Sequence, residues 1–204
     1  VCSSDLLPPF NDEAYYLRQT QLVSQSLSNF WVTFFSEGKQ PLFIWASALT
    51  AFFTDNSLPA TRLTAVISGL VTMWGVIVLA KALWGEKHPS LPFLAAGLYM
   101  ISPYSLFHDR LGIYEPLISA LGVFVFLYAY RYIREGKTRD AALLALCFGL
   151  SLITKAYCLY FAAFPVFLLA ELWIEKKKYP PGRIVAGSFL ALIAGYAFRW
   201  LVNL

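Results

Sequence analysis

The sequence predicts an all-α, polytopic integral membrane protein with interfacial helices in its first outer loop. Of its 204 residues, 58% are hydrophobic and only 14% are charged, whereas a soluble domain carries about 25% charged residues. Several apolar stretches reach the roughly 17–25 residues that a membrane-spanning helix needs. The charged residues lie mostly between these stretches, where such helices would end.

Two segments ahead of the first span are too short or too amphipathic to cross the bilayer. In residues 15–30 one helical face is apolar and the other carries mostly glutamine and serine, a pattern typical of a helix lying in the interface. The apolar face holds Tyr15, Tyr16, Leu22, Val23, Leu27 and Phe30. Residues 41–53 (PLFIWASALTAFF) predict a second interfacial or re-entrant helix, and a tilted partial span is the alternative.

About six spans are expected in the rest of the chain. The run from 141 to 174 is too long for one helix and is interrupted by Thr154 and Lys155, so we expect it to form two. The predicted spans cover residues 63–84, 91–107, 116–133, 141–155 and 156–174, and the last begins at 184. The chain therefore divides into a first outer loop, 7–62, and a helix bundle, 63–204.

The two ends of the chain are expected to be incomplete. Residues 1–6 (VCSSDL) back-translate to the end of a common sequencing adapter, and we exclude them from the fold prediction as an artefact. The chain has no initiating methionine, and it stops within an apolar run at RWLVNL. We therefore expect a protein truncated at both ends.

The distribution of charge predicts the orientation in the membrane. Lysine and arginine are concentrated in residues 85–90, 131–140 and 175–183, and such loops face the cytoplasm under the positive-inside rule. The intervening loops hold six of the twelve acidic residues: Asp12, Glu13, Glu37, Asp55, Asp109 and Glu115. We expect an integral protein of the plasma or inner membrane with its active site on the extracytoplasmic side. The loop EKKKYPPGR is interpreted as an ordinary cytoplasmic loop, so no nucleic-acid partner is expected.

Three separate stretches supply polar groups to the outer face: NDEAYY (11–16), EGKQPL (37–42) and HDRLGIYEPL (108–117). Ionisable groups kept beside an apolar layer are costly and indicate function. Asp12 and Glu115 stand next to predicted helix starts, so both are candidates. Arg62 and Asp55 are interpreted as solvated loop residues.

These groups suit glycosyl transfer from a lipid-linked phosphosugar. A carboxylate such as Asp12 can accept the proton of the attacking hydroxyl, and the leaving phosphate needs fixed cations, which Lys39, Arg110 and Lys155 can supply. The sequence has no Gly-rich phosphate loop, so no soluble nucleotide site is expected. A multi-spanning transporter or a non-catalytic membrane scaffold is the competing class. A transporter would show charges at mid-membrane depth and internal symmetry.

The order of five short motifs resembles the GT-C glycosyltransferases. The motifs are DE..Y, KQPL.IW, TRL leading into a span, R....EP and GLSLITKAY, and they cover residues 10–175. Within that superfamily the chain is most similar to the protein O-mannosyltransferases and the lipid A aminoarabinose transferases. The resemblance implies a polyprenyl-phosphate sugar donor and a protein or glycolipid acceptor.

The resemblance also implies roles for individual residues. Asp12 takes the place of the catalytic base, and Glu13 supports it. Lys39 takes the place of a lysine near the donor phosphate, and Lys155 that of a second lysine. Arg110 and Glu115 match a pair in the second outer loop, where Asp109 is a further acid. Glu115 stands where the family usually has aspartate, and Gln40 stands where it has proline.

No cofactor is predicted, although a divalent metal is an alternative that some GT-C relatives suggest. His108 and Asp109 could join Asp12 or Glu13, but one histidine and scattered carboxylates make a weak ligand set. The three cysteines form no CxxC pair or Cys/His cluster, so neither zinc nor a disulfide framework is indicated. The sequence names neither the sugar nor the acceptor.

Overall fold

The computed structural model describes residues 11–26, 29–32, 40–54, 56–85, 87–176 and 181–202. Every regular element in these ranges is helical, which confirms the predicted all-α class. The helices are α1 (Asn11–Gln25), α2 (Asn29–Val32), α3 (Leu42–Ala51), α4 (Ser57–Trp84), α5 (Leu91–Ile101), α6 (Pro103–His108), α7 (Glu115–Glu135), α8 (Thr138–Leu152), a 3₁₀ segment (Ala156–Ala162), α9 (Ala163–Lys176) and α10 (Gly182–Val202). The suspected artefact at residues 1–6, Lys39 and Asp55 lie outside the described residues.

Four of these helical stretches are long and apolar enough to cross a membrane: Ser57–Trp84, Glu115–Glu135, Ala156–Glu175 and Gly182–Val202. They confirm a polytopic membrane protein. One predicted span is shorter than expected, and another is as short as predicted. The 91–107 segment breaks at Ser102, whose backbone is extended at ψ 129° before Pro103, since a residue that precedes proline avoids the helical conformation. The 15 residues of α8 extend for only about 22 Å. The number of crossings stays a prediction.

Helix α4 contains buried polar side chains within an otherwise apolar span. Its N-terminus is capped by Asn56, whose side chain accepts a hydrogen bond from the Leu58 N–H at 3.2 Å. Further along, the hydroxyls of Thr64, Ser68 and Thr72 donate to carbonyls four residues earlier at 3.0, 2.8 and 2.9 Å. These internal bonds satisfy each hydroxyl without water, which a helix inside a bilayer requires.

The main core lies where α7 and α8 pack on each other, with α9 and α10 around them. Gly136 makes the tight reversal between α7 and α8 because it takes a left-handed conformation at φ 69°, which costs glycine little. The buried core residues are Ile118, Val125, Ala129, Ile133, Leu144, Phe148, Leu152, Cys158, Phe161, Leu168, Leu172 and Ala191. This core holds α7 in place, and the candidate site lies at the N-terminus of α7.

A second, smaller core covers that end of the bundle. It joins α1, α3 and the loop before α7 through Tyr16, Val23, Phe43, Ile44 and Ile113. The start of α3 is also tied to the end of α8, since the Leu42 N–H donates to the carbonyl of Ile153 at 3.0 Å. The predicted apolar face of α1 therefore packs largely on protein. The C-terminal ends of α7 and α9 lie together at the opposite end of the bundle, where Arg134 of α7 pairs with Glu175 of α9 at 2.8 Å.

Candidate active site

Glu13 is the most deeply buried acid of the predicted site. Its side chain is 0% exposed, and its carboxylate pairs with Arg62 of α4, which is 15% exposed. Arg62 donates from Nε to Oε1 at 2.8 Å and from Nη2 to Oε2 at 3.0 Å. The Gly112 N–H donates to the same Oε1 at 2.7 Å. Glu13 therefore fastens the first turn of α1 to α4 and to the loop before α7.

The interpretation of Arg62 as a solvated loop residue was wrong. Arg62 lies in the second turn of α4 and is the charge partner of Glu13. Sequence reasoning missed it because 49 residues separate the two side chains, and no local spacing rule connects positions so far apart. The available signal was an arginine inside an apolar segment, which needs a partner of opposite charge.

Tyr114, immediately before α7, is the point around which several predicted residues gather. Lys155 donates from Nζ to the Tyr114 hydroxyl at 3.0 Å, and its Nζ lies 4.2 Å from the ring centroid. Burial raises the pKa of Tyr114 above its usual value, and the negative charges of Glu115 and Asp12 add to that rise. Glu115 and Lys155 therefore lie beside one tyrosine, which sequence reasoning had not singled out.

Asp12 and Glu13 are neighbours in sequence but differ in environment. Asp12 is exposed in the first turn of α1 while Glu13 is buried. In the following turn, the Tyr16 ring meets Tyr114 edge-on with centroids 5.4 Å apart. Burial raises the pKa of Tyr16 above its usual value, with the charges of Glu115 and Asp12 as further causes. The two tyrosine rings thus connect α1 to the start of α7.

Asp109 is held on the other side of the site, against α4 and α5. The Tyr99 hydroxyl donates to its Oδ2 at 2.8 Å. The carboxylate packs on Gly69, where an added Cβ would lie 2.6 Å from Oδ2. Burial raises the pKa of Asp109, while the hydrogen bond from Tyr99 and the charge of His108 act in the opposite direction. Asp109 is therefore an anchor of the loop that carries Arg110.

Two cavities flank this loop and share Tyr99 in their walls. The smaller, of about 280 Å³, is lined mainly by apolar side chains of α4, α5 and α6, with Asp109 and Arg110 among its lining residues. The larger, of about 460 Å³, lies between α4, α7 and the 156–164 segment, with Glu115 among its lining residues. Arg110 is exposed and forms no ion pair within the described part of the chain, so its charge faces the surroundings of the smaller cavity.

The predicted alternative of a divalent metal requires ligand side chains that lie close together. Within the ranges that the structure describes, no three His, Cys, Asp or Glu side chains come together as a metal site requires. The His108 ring stacks on Tyr104 with centroids 4.1 Å apart, and its Nδ1 lies 3.0 Å from the Tyr104 carbonyl. These described residues therefore form no three-ligand metal site.

A comparison with protein families decides the class of the protein. Residues 38–197 match the family model described as dolichyl-phosphate-mannose-protein mannosyltransferase. The chain belongs to this family. Membership in the dolichyl-phosphate-mannose-protein mannosyltransferase family confirms the predicted GT-C resemblance and makes the chain a membrane glycosyltransferase. No curated protein and no solved structure matches the chain.

The matched range includes some of the predicted site residues but not all of them. Arg110, Glu115 and Lys155 lie within residues 38–197, as does Arg62. Asp12 and Glu13 precede the matched range, so their roles stay predictions drawn from the sequence motif and from their environment. The family match does not test any individual side chain.

Proposed function

We propose that the protein transfers a sugar from a polyprenyl-phosphate carrier to an acceptor hydroxyl, with inversion at the anomeric carbon. The observation that carries the proposal is the hydrogen bond from Lys155 to Tyr114, next to Glu115 and beside two cavities that share Tyr99. The family description supports a carrier of the dolichyl-phosphate mannose type and a protein acceptor.

Asp12 is the general base in this proposal. As the acceptor oxygen forms its bond to the anomeric carbon, its proton passes to the Asp12 carboxylate. The bond from the anomeric carbon to the phosphate oxygen breaks at the same time, and the electron pair leaves with the polyprenyl phosphate. One carboxylate is sufficient for this single displacement, and a positioned base contributes about 10²–10⁴-fold to such a step. The burial of Glu13 beside Arg62 supports a rigid position for Asp12.

Arg110 and Lys155 are proposed to meet the charge of the leaving phosphate. Fixed cations stabilise charge that develops in the transition state without having to reorganise. Arg110 is exposed beside the smaller cavity, and Lys155 is held by the Tyr114 hydroxyl. Lys39 has the same proposed role and lies outside the described residues. The chain of the carrier would occupy the smaller cavity, where Val66, Leu70 and other apolar side chains form the wall.

The reaction is proposed to take place at the extracytoplasmic face. The site lies at the N-terminus of α7, opposite to the bundle end where the C-terminal ends of α7 and α9 meet, and the sequence that follows each of these ends is rich in lysine and arginine. Lysine and arginine mark cytoplasmic loops under the positive-inside rule. Labelling of single cysteines introduced beside Asp12 with a membrane-impermeant reagent in intact cells tests this orientation, and labelling only after lysis would reverse it.

The proposal is tested by sugar release from dolichyl-phosphate mannose in membranes that contain the full-length protein. The Asp12→Asn variant should lose at least about 100-fold in transfer rate while it still inserts normally. Glu171→Gln is the matched control, because it changes an exposed carboxylate in α9 to an amide and should leave the rate unchanged. Equal rates in wild type and Asp12→Asn would remove Asp12 from the chemistry. No transfer from any polyprenyl-phosphate sugar by the wild type would favour a transporter or scaffold.

A further inference from the structure

Glu115 carries a buried acceptor atom that no described residue satisfies. It is the first residue of α7, and its Oε2 is buried without a hydrogen-bond partner within the described residues. An orphaned buried acceptor is rare and costs stability, since folding removes its bonds to water. Glu115 lines the cavity of about 460 Å³. A donor group supplied by a molecule in that cavity would satisfy the oxygen.

The wall beside Glu115 consists of aromatic rings. Tyr157 and Tyr160 line the same cavity. Their rings are nearly parallel, at 9°, with centroids 6.0 Å apart. The two side chains are 49% and 53% exposed, so part of each remains uncovered by the protein. An aromatic face attracts the weakly positive C–H groups of a saturated ring because its own face is negative.

The wall of the larger cavity changes from polar to apolar along the length of the cavity. Near Glu115 its wall includes the hydroxyl side chains of Tyr104 and Ser119. Further along α4 and α7 the wall is apolar, with Leu79 and Phe126. An isoprenoid chain has no hydrogen-bond donor, so it cannot satisfy Oε2 of Glu115. A hydroxylated ring combines hydroxyl donors with C–H faces, and it therefore suits the Glu115 end in both respects.

We propose that the Glu115 end of this cavity is the subsite for the sugar ring of the donor. In this subsite Oε2 of Glu115 accepts a hydrogen bond from a ring hydroxyl, and Tyr157 or Tyr160 packs on the C–H face. Glu115 thereby distinguishes a glycosylated carrier from the bare polyprenyl phosphate that remains after transfer. The inference rests on the proposed function, because it assigns the sugar of the same donor.

The experiment compares binding of three carriers to the full-length protein in nanodiscs: dolichyl phosphate, dolichyl-phosphate mannose and dolichyl-phosphate glucose. The wild type should bind one or both glycosylated carriers more tightly than dolichyl phosphate. Glu115→Gln should weaken binding of the preferred glycosylated carrier about tenfold and change binding of dolichyl phosphate by less than about twofold. Unchanged binding of dolichyl phosphate also reports that the variant is folded. Glu171→Gln is again the matched control.

Tyr160 provides a second, independent test of the same subsite. Tyr160→Leu removes the aromatic face and should weaken only the glycosylated carrier, by about three- to tenfold. Tyr160→Phe keeps the ring and should bind like the wild type. An equal loss for all three carriers in Glu115→Gln, or no loss for any, would overturn the inference, as would a wild type that prefers neither sugar. A wild type that binds none of the carriers would overturn the proposed function as well.

Discussion

The carboxylate of Glu13 accepts two hydrogen bonds from Arg62, at 2.8 and 3.0 Å, across 49 residues of sequence. Together with the bond from the Gly112 N–H, this pair ties three separate segments to one buried side chain. The segments are the start of α1, the start of α4 and the loop that carries Arg110. The position of Asp12, the neighbour of Glu13, therefore depends on an ion pair that takes no part in the proposed chemistry.

Arg62→Ala should destabilise the protein strongly, because it leaves the buried Glu13 carboxylate without its charge partner. Breaking such a pair costs about 3–5 kcal/mol, with the lower end expected here since Arg62 keeps some contact with solvent. Thermal unfolding in detergent measures the loss. Arg18→Ala, which removes an exposed cation from α1, should change the free energy of unfolding by less than about 0.5 kcal/mol.

A double-mutant cycle separates the pair from other effects of truncation. Because the two changes remove the same interaction, the combined Glu13→Gln and Arg62→Ala variant should lose less stability than the sum of the single losses. Additive losses would mean that the contact contributes nothing by itself.

The sequence was sufficient to predict the fold class and the family. Apolar run lengths predicted the all-helical membrane fold, and the motif order predicted the family. Charge placement selected Asp12, Glu115 and Lys155 as candidates, and in the structure Lys155 donates to the hydroxyl of Tyr114, the neighbour of Glu115. Each of these conclusions depends on local composition or on short spacing, which can be read along the chain.

Other features depend on contacts between distant segments, which no local pattern records. Arg62 resembled a loop cation because its partner lies in α1. Tyr114 was not singled out because its contact with Lys155 joins positions 41 residues apart. The break at Ser102 was missed because the apolar composition of 91–107 continues through Pro103. Proline was a readable signal there, but the hydropathy of the run outweighed it.

Gly69→Ala should impair donor binding through Asp109 rather than through the stability of α4. The new methyl group would lie 2.6 Å from Oδ2 of Asp109, so the carboxylate must leave Tyr99 and the loop with Arg110 must shift. We expect affinity for dolichyl phosphate to fall about tenfold, since small displacements of a positioned group are costly.

Gly97→Ala is the matched control for that substitution. A Cβ at Gly97 in α5 would meet no heavy atom within 4 Å. Inside a helix, alanine is more favourable than glycine by about 0.8–1.0 kcal/mol. This variant should bind dolichyl phosphate like the wild type and be at least as stable. Equal affinities for both variants would show that the position of Asp109 has no influence on the donor.

Asp109 should also make stability depend on pH in a definite direction. Burial raises its pKa in the folded state above the unfolded value of about 3.9, so ionisation opposes folding. The neutral carboxyl group of Asp109 therefore stabilises the folded protein. Its contribution to the free energy of unfolding is fully present below the unfolded pKa and is lost as the pH rises through the folded pKa. Relative to Asp109→Asn, the wild type should therefore lose thermal stability as the pH rises from about 4 towards neutrality. A difference in melting temperature that does not change with pH would contradict this assignment.

Lys155 and Tyr114 allow the charge of the lysine to be tested separately from its placement. Lys155→Gln removes a cation proposed to face the leaving phosphate, so the transfer rate should fall by about 100-fold. Tyr114→Phe keeps the ring that packs on Tyr16 but removes the hydroxyl that accepts from Lys155 at 3.0 Å. The lysine then keeps its charge and loses its orientation, so a smaller fall of about tenfold is expected. Single-turnover transfer from dolichyl-phosphate mannose measures both variants. A larger fall in Tyr114→Phe than in Lys155→Gln would place the chemistry on the tyrosine hydroxyl and leave Lys155 as its support.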